Sequence, residues 1–231
     1  MPHPQLTLGI RLNDSASFAN YFPGRNAEVL NHLRACAHGE NHLPVLIWGR
    51  PGSGKTHLLH AACHAATARG EAPAYLPMRA AARWSPEVLD GLERCPLVCV
   101  DDVDALAGQA VWEEALFHLY NRVTEQGARL ALSACAPPAE LKLKLPDLTS
   151  RLAWGLVLHL EALDENDKLV ALQLRAQQRG FELPGEVAQF LLRRCPRDTA
   201  SLFALLDHLD QASLAAQRKL TIPFVRELIW A

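Results

Sequence analysis

The chain has 231 residues, 49% of them hydrophobic and 21% charged, the composition of a globular domain with material for a core rather than of a disordered or fibrous chain. Lys and Arg number 23 against 25 Asp and Glu, a formal net charge of −2, so no polybasic surface for DNA or a membrane is advertised. No apolar run approaches the roughly 18–20 residues that span a bilayer, and Met1-Pro2-His3-Pro4-Gln5 is not a secretory signal, so a cytoplasmic protein is expected.

Residues 1–12 precede any recurring pattern and are expected to form a flexible tail. From residue 13 to 160, short apolar runs alternate with helical periodicity, the pattern of a parallel sheet wrapped by helices. Leu43-Pro44-Val45-Leu46-Ile47-Trp48 reads as a first buried strand and Ala74-Tyr75-Leu76 as a short second one. Leu97-Val98-Cys99-Val100 is a third, ending in Asp101-Asp102. Trp112, Leu116, Leu119, Tyr120 and Val123 recur at helical spacing and stop at Gly127. Arg129-Leu130-Ala131-Leu132-Ser133 and Leu156-Val157-Leu158-His159-Leu160 complete the five strands.

Residues 161–231 read as helices only. Asp164, with Asp167 three positions on, caps a first helix carrying Leu169, Leu172 and Ala176 before Gly180. Pro184 opens a second with Val187, Phe190 and Leu191, and Asp198 caps a third with Leu202, Leu205, Leu206 and Leu209. Thr221-Ile222-Pro223 starts a last one containing Val225, Leu228 and Ile229. The fold expected is an α/β core with a five-stranded parallel sheet, followed by a small all-α subdomain.

Between the first strand and the next helix stands Gly49-Arg50-Pro51-Gly52-Ser53-Gly54-Lys55-Thr56, a complete GxxxxGK[ST] phosphate-binding loop. Glycines reach φ values closed to other residues, so successive backbone N–H groups turn inward toward phosphate oxygens. The following helix N-terminus adds partial positive charge. Lys55 is placed to reach the β- and γ-phosphates and the Thr56 hydroxyl to ligate Mg²⁺. Asp101 and Asp102 end the third strand, where a second acidic motif of such sites belongs: Asp101 holds Mg²⁺ through water, and Asp102 orients or deprotonates the attacking water. Solvated turn residues are the competing reading of that pair.

His57, His60 and His64 fall three and four apart on the helix after the loop, beside Cys63, a spacing that also suits a metal. The six cysteines, Cys36, Cys63, Cys95, Cys99, Cys135 and Cys195, contain no CxxC pair and are expected to be reduced, mostly buried thiols.

With both acidic and glycine motifs placed, the chain resembles the AAA+ ATPases, and within them the family of the replication initiator DnaA. Gly54-Lys55-Thr56-His57-Leu58-Leu59-His60-Ala61 is similar to that family's phosphate loop and helix start, which accounts for the histidines without a metal. Phe117-His118-Leu119-Tyr120-Asn121 resembles its helix after the acidic motif, and Ser150-Arg151-Leu152-Ala153-Trp154-Gly155 resembles the segment known as box VII. Tyr21-Phe22-Pro23-Gly24, Pro86-Glu87-Val88-Leu89-Asp90-Gly91 and Arg218-Lys219-Leu220-Thr221-Ile222-Pro223-Phe224-Val225 are similar to stretches of the Hda-type regulatory inactivators, DnaA relatives without a DNA-binding helix-turn-helix domain. Residues 159–231 hold nine Lys/Arg and ten Asp/Glu, so no basic recognition surface stands in for that domain.

The resemblance implies a negative regulator of replication initiation that makes ATP-bound DnaA hydrolyse its nucleotide. The cofactors implied are ADP or ATP with Mg²⁺, held by Pro51, Gly52, Ser53, Gly54, Lys55, Thr56 and His57, with Phe22 from the segment before the first strand. Arg151 is the implied finger, acting in trans on the γ-phosphate held by DnaA. The implied partners are DnaA and the sliding clamp of DNA polymerase III; self-association is left open and no sequence-specific DNA binding is expected. Gln5-Leu6-Thr7-Leu8-Gly9-Ile10 is similar to the QLxLx[LF] clamp-docking peptide, with Gln5, Leu6, Leu8 and Ile10 as its contacts, although Leu6, Leu8 and Ile10 also alternate as a strand would. Two departures weaken the expected reading of the γ-phosphate: Cys135 stands where the polar sensor after the fourth strand belongs, and Ala200 where an arginine of the third lid helix belongs, with Arg197 one turn earlier. ADP as resident nucleotide and weak or absent intrinsic turnover are therefore expected. The alternative is a stand-alone AAA+ ATPase of helicase-loader or initiator type.

Overall fold

The computed structural model describes residues 12, 16–195, 199–216 and 218–230. They divide into two compact units, residues 25–161 with the stretch before Ala19, and residues 19–24 with 162–231. The clamp-peptide residues Gln5, Leu6, Leu8 and Ile10, and the lid residues Arg197 and Asp198, lie outside the described residues.

In the first unit, α1 (Ala27–His38) precedes β1 (Val45–Trp48), α2 (Lys55–Ala68), β2 (Ala74–Pro77), β3 (Leu97–Asp101), α3 (Ala110–Glu125), β4 (Arg129–Ala134), α4 (Pro146–Trp154) and β5 (Leu156–His159). The strands form one parallel sheet in the order β2-β3-β4-β1-β5. Every residue of β3 and β4 is buried, which is why residues 97–100 and 130–132 are apolar without a break and the polar Asp101, Arg129 and Ser133 all have partners: in a parallel sheet the crossover helices cover both faces. On one face Leu46, Leu76, Val98, Val100, Leu116, Tyr120, Leu130, Leu132 and Leu152 form a continuous core. Helix α1, which no motif announces, turns Val29, Leu30, Leu33, Cys36 and Ala37 inward.

Two glycines fix how β5 closes against β1. A Cβ on Gly155 would stand 2.2 Å from the Pro44 carbonyl oxygen, and one on Gly49 would stand 2.3 Å from that of Leu160. Only a residue without a side chain allows the backbones to meet at both ends of this pairing.

Glu113 of α3 is fully buried, and its carboxylate accepts backbone N–H groups from Gly108 at 2.7 Å, Lys144 at 2.7 Å and Leu145 at 2.8 Å. The last two immediately precede α4, so this one side chain ties the start of α4 to the core. Glu113→Ala removes the shared acceptor of three partly buried N–H groups and is expected to cost about 2 kcal/mol of unfolding free energy, with partial recovery in Glu113→Gln. Urea denaturation followed by tryptophan fluorescence checks both.

The second unit contains α5 (Glu165–Gln178), α6 (Gly185–Arg194), α7 (Thr199–Ala216) and α8 (Ile222–Trp230). The Asp164 side chain caps α5 by accepting from the Asp167 N–H at 2.8 Å. Leu172, Val187, Leu191, Leu202, Leu206, Leu209 and Phe224 form its separate core. Among the described residues, no helix is long and apolar enough to cross a membrane.

Candidate phosphate-binding site

Three strand ends and one loop build the site. β1 delivers the chain into Gly49–Gly54, and α2 begins at Lys55 with Gly54 at φ 99° and Gly52 at φ 81°. Both angles lie where L side chains are strained, and at Gly52 nothing stands within 4 Å of where a Cβ would be, so one side of the loop is open. Ser53 is buried while Pro51 and Gly52 are exposed. Lys55 is 7% exposed, and its ammonium donates to the carbonyls of Gly49 at 2.7 Å and Arg50 at 3.2 Å. A buried cation held over a loop by two neutral carbonyls is a receptor for an anion that enters that loop.

Asp101, at the end of β3 and 2% exposed, is the acidic counterpart. The Thr56 hydroxyl donates to its Oδ2 at 2.7 Å, joining the first turn of α2 to the end of β3. Tyr75 donates to the same oxygen at 2.8 Å, and Ser133 of β4 donates to Oδ1. Burial and the Asp101 charge push the Tyr75 phenol far above its ordinary range, so it remains a donor. A threonine hydroxyl and a hydroxyl-anchored carboxylate beside a caged ammonium fit Mg²⁺ and the phosphates of a nucleotide.

Asp102 follows in the left-handed region at φ 55°, a conformation aspartate tolerates, with its N–H bonded to Ser133 Oγ at 2.9 Å. Its carboxylate is held by Arg79 Nε at 2.6 Å, and Arg79 also lies 3.9 Å from Asp104. Partial burial pushes the Asp102 carboxyl up, the Arg79 hydrogen bond pulls it down, and the net direction is upward. Cys135 is exposed after β4; its N–H donates to Asp104 Oδ1 at 2.8 Å, and burial and the Asp104 carboxylate push its thiol up, so this position carries a neutral thiol.

The histidines after the loop have other partners than a metal. His57 Nε2 meets the Ser17 carbonyl at 3.1 Å, and His60 packs edge-on to Tyr75 with ring centroids 4.4 Å apart. Among the described residues, no group of three or more His, Cys, Asp or Glu is arranged to hold a metal. Phe22 belongs to the segment 19–24 of the helical unit, not to the unit that carries the loop.

Arg151 stands apart from this cluster. It lies in the last turn of α4, exposed, with no hydrogen bond or ion pair among the described residues; Trp154, one turn on, is 58% exposed. Helix α4 returns the chain to the start of β5, where the Leu156 N–H meets the Pro44 carbonyl at 2.8 Å. The phosphate loop begins at Gly49, at the other end of β1. The five residue steps from Pro44 to Gly49, through the four residues of β1, separate these two ends of the strand by about 16 Å.

Of the residues expected from sequence, the structure joins Thr56 to Asp101 and sets Lys55 one residue before Thr56; Tyr75, Ser133 and Arg79 were overlooked. Their signal is topological: β2 and β4 flank β3, with Pro77 opposite Asp101 and Leu132 opposite Val100, so Tyr75 and Ser133 fall beside the carboxylate.

The family profile of the bacterial DnaA ATPase domain matches residues 12–81 and 87–159, and that of the Hda lid domain matches residues 164–229. The chain belongs to the DnaA-related AAA+ family. Domain III of the Thermotoga maritima replication initiation protein DnaA superposes with a TM-score of 0.77 at 22% identity, over 95% of this chain and 98% of that one. AMPPCP-bound DnaA from Aquifex aeolicus gives 0.74 at 21% identity, over 89% of this chain and 68% of that one. The Thermotoga maritima RuvB Holliday junction branch migration motor gives 0.62 at 16% identity, over 87% and 65%. The AAA+ fold thus extends beyond DnaA relatives, while the Hda lid match in residues 164–229 distinguishes this DnaA-related chain.

Proposed function

We propose that this DnaA-related AAA+ protein regulates replication initiation by stimulating hydrolysis of ATP bound to DnaA, leaving the inactive ADP form. The observation that carries the reading is Arg151: exposed, unpaired among the described residues, and at the sheet edge opposite its own phosphate loop. An arginine so placed serves a neighbour's nucleotide rather than its own. Its guanidinium offers fixed donors to the charge that develops on the transferring phosphoryl group. The exposed Trp154 supports a protein-facing role, because tryptophan and arginine dominate interface energetics.

The chain's own site is proposed to hold ADP or ATP with Mg²⁺ as a resident group rather than to turn it over. Bound Mg²⁺ supplies neutralising charge at the phosphates. Backbone N–H groups of Gly52, Ser53 and Gly54 and the Lys55 ammonium would hold the phosphates, with Pro51 shaping the loop; the Thr56 hydroxyl would ligate the ion and Asp101 would hold its water. His57 completes the proposed nucleotide contacts of this unit. Asp102, the candidate base, is occupied by Arg79, and Cys135 offers only a thiol where a stronger polar group reads the terminal phosphate. Both favour ADP retention and weak turnover.

Gln5, Leu6, Leu8 and Ile10 are proposed to dock on the sliding clamp, the Gln5 amide supplying polar contacts and the apolar side chains filling pockets. Cytoplasmic residence follows from these partners. The test is hydrolysis of ATP preloaded on DnaA, with clamp-loaded DNA. Added protein is expected to accelerate it, and Gln5→Ala/Leu8→Ala to lose the acceleration together with clamp binding. Strong ATP turnover by the lone protein, with no effect on DnaA, would instead establish the stand-alone ATPase.

A further inference from the structure

We infer that Tyr75 is a positioning residue for the metal-holding carboxylate, acting through Asp101; this rests on the proposal that the site binds a nucleotide with Mg²⁺.

A carboxylate oxygen has two lone-pair directions. Oδ2 of Asp101 has both taken, by Thr56 at 2.7 Å and Tyr75 at 2.8 Å. Oδ1 has one taken, by Ser133. One direction remains on Oδ1, which suits a single water of an ion's shell and leaves no room for bidentate ligation. The carboxylate is therefore fixed by three hydroxyls from three elements, α2, β2 and β4. Thr56 belongs to the ion's own ligand set, so Tyr75 and Ser133 are the anchors that do not depend on the ion.

Tyr75 is itself held. His60, buried on α2, packs edge-on against its ring at 78° and 4.4 Å, and β2 pairs with β3 through Tyr75 opposite Cys99. Tyr75 and Pro77 stand on the same face of β2, and Pro77 is opposite Asp101, so the phenol reaches the carboxylate diagonally across the strand pair. Groups that orient a ligand in this way typically change metal affinity by 10–100-fold when removed.

Tyr75→Phe removes the hydroxyl and keeps the ring against His60. ADP affinity is measured by calorimetry in EDTA and in Mg²⁺, and Mn²⁺ affinity of the ADP complex by electron paramagnetic resonance. The expected result is unchanged ADP affinity in EDTA and loss of about tenfold or more in both the Mg²⁺ gain and Mn²⁺ binding. Ser133→Ala is expected to act in the same direction, and thermal unfolding of each variant separates this from a folding defect. An equal Mg²⁺ gain in wild type and Tyr75→Phe overturns the role of Tyr75 alone. Absence of ADP binding by the wild type in both conditions removes the nucleotide reading as well.

Discussion

Arg151→Ala is expected to lower stimulated hydrolysis of DnaA-bound ATP by about 10³-fold or more while leaving ADP binding by the variant itself intact. The two halves of this result follow from where the residue sits. Arg151 is exposed on the last turn of α4, and α4 leads to the edge of the sheet where β1 and β5 begin. Its own phosphate loop lies past the end of β1. Loss of the guanidinium removes donors from a partner's transition state and touches nothing in the Lys55–Thr56–Asp101 cluster. Arg151→Lys retains charge but not the planar fork, so it is expected to recover only a small part. The measurement is single-turnover hydrolysis of radiolabelled ATP on DnaA with clamp-loaded DNA, paired with ADP calorimetry on each variant. Undiminished stimulation by Arg151→Ala would remove the trans assignment, and a joint loss of ADP binding would relocate Arg151 to the chain's own site.

The sequence made the sheet and the glycine loop legible for a physical reason. Strands buried on both faces are apolar except where a polar side chain has partners, and a loop that wraps phosphate needs glycine at fixed positions, so Val45–Trp48 and residues 49–54 carry their conformations locally. Strand limits shifted only at the ends: β1 starts at Val45 rather than Leu43, and β3 includes Asp101. What depends on strand order was not legible. Tyr75 lies 26 residues from Asp101 and Ser133 lies 32 away, and only the placement of β3 between β2 and β4 unites them. Arg79 on Asp102 was hidden for the same reason, which is why Asp102 read as a free base. Glu113, which no sequence pattern singles out, faces inward because three N–H groups of neighbouring loops converge on it.

Arg129→Leu is expected to be the most destabilising single change in the core. Its side chain is 4% exposed and stands at the first residue of β4. Nη1 donates to the carbonyls of Cys36 at 2.9 Å and Ala37 at 2.7 Å, at the C-terminal turn of α1, and Nε donates to the Pro96 carbonyl at 2.9 Å. Nη2 pairs with Glu71. Leucine fills part of the volume but removes four donations: the Ala37 carbonyl loses its side-chain donor, the Cys36 and Pro96 carbonyls keep only the backbone N–H groups of Gly39 and Arg129, and Glu71 keeps only Arg69, an expected cost of about 3–5 kcal/mol. For a chain of this size that corresponds to a fall in Tm of about 10 °C. Arg129→Lys cannot reach all four acceptors with one ammonium and is expected to fall between. The pH dependence carries a separate signature. Burial pushes the Glu71 carboxyl up, but hydrogen bonds and charge from Arg129 and Arg69 overrule it, leaving it below the ordinary glutamate range in the folded state. A carboxyl depressed by folding contributes stability above its ordinary value, and that contribution is lost as pH falls through the folded one. The stability difference between wild type and Arg129→Leu is therefore expected to be full at neutral pH and to narrow under acid. A gap in urea midpoint that stays constant from pH 7 to about pH 3, across the carboxylate range, would assign the loss to the three carbonyls alone and not to the Glu71 pair.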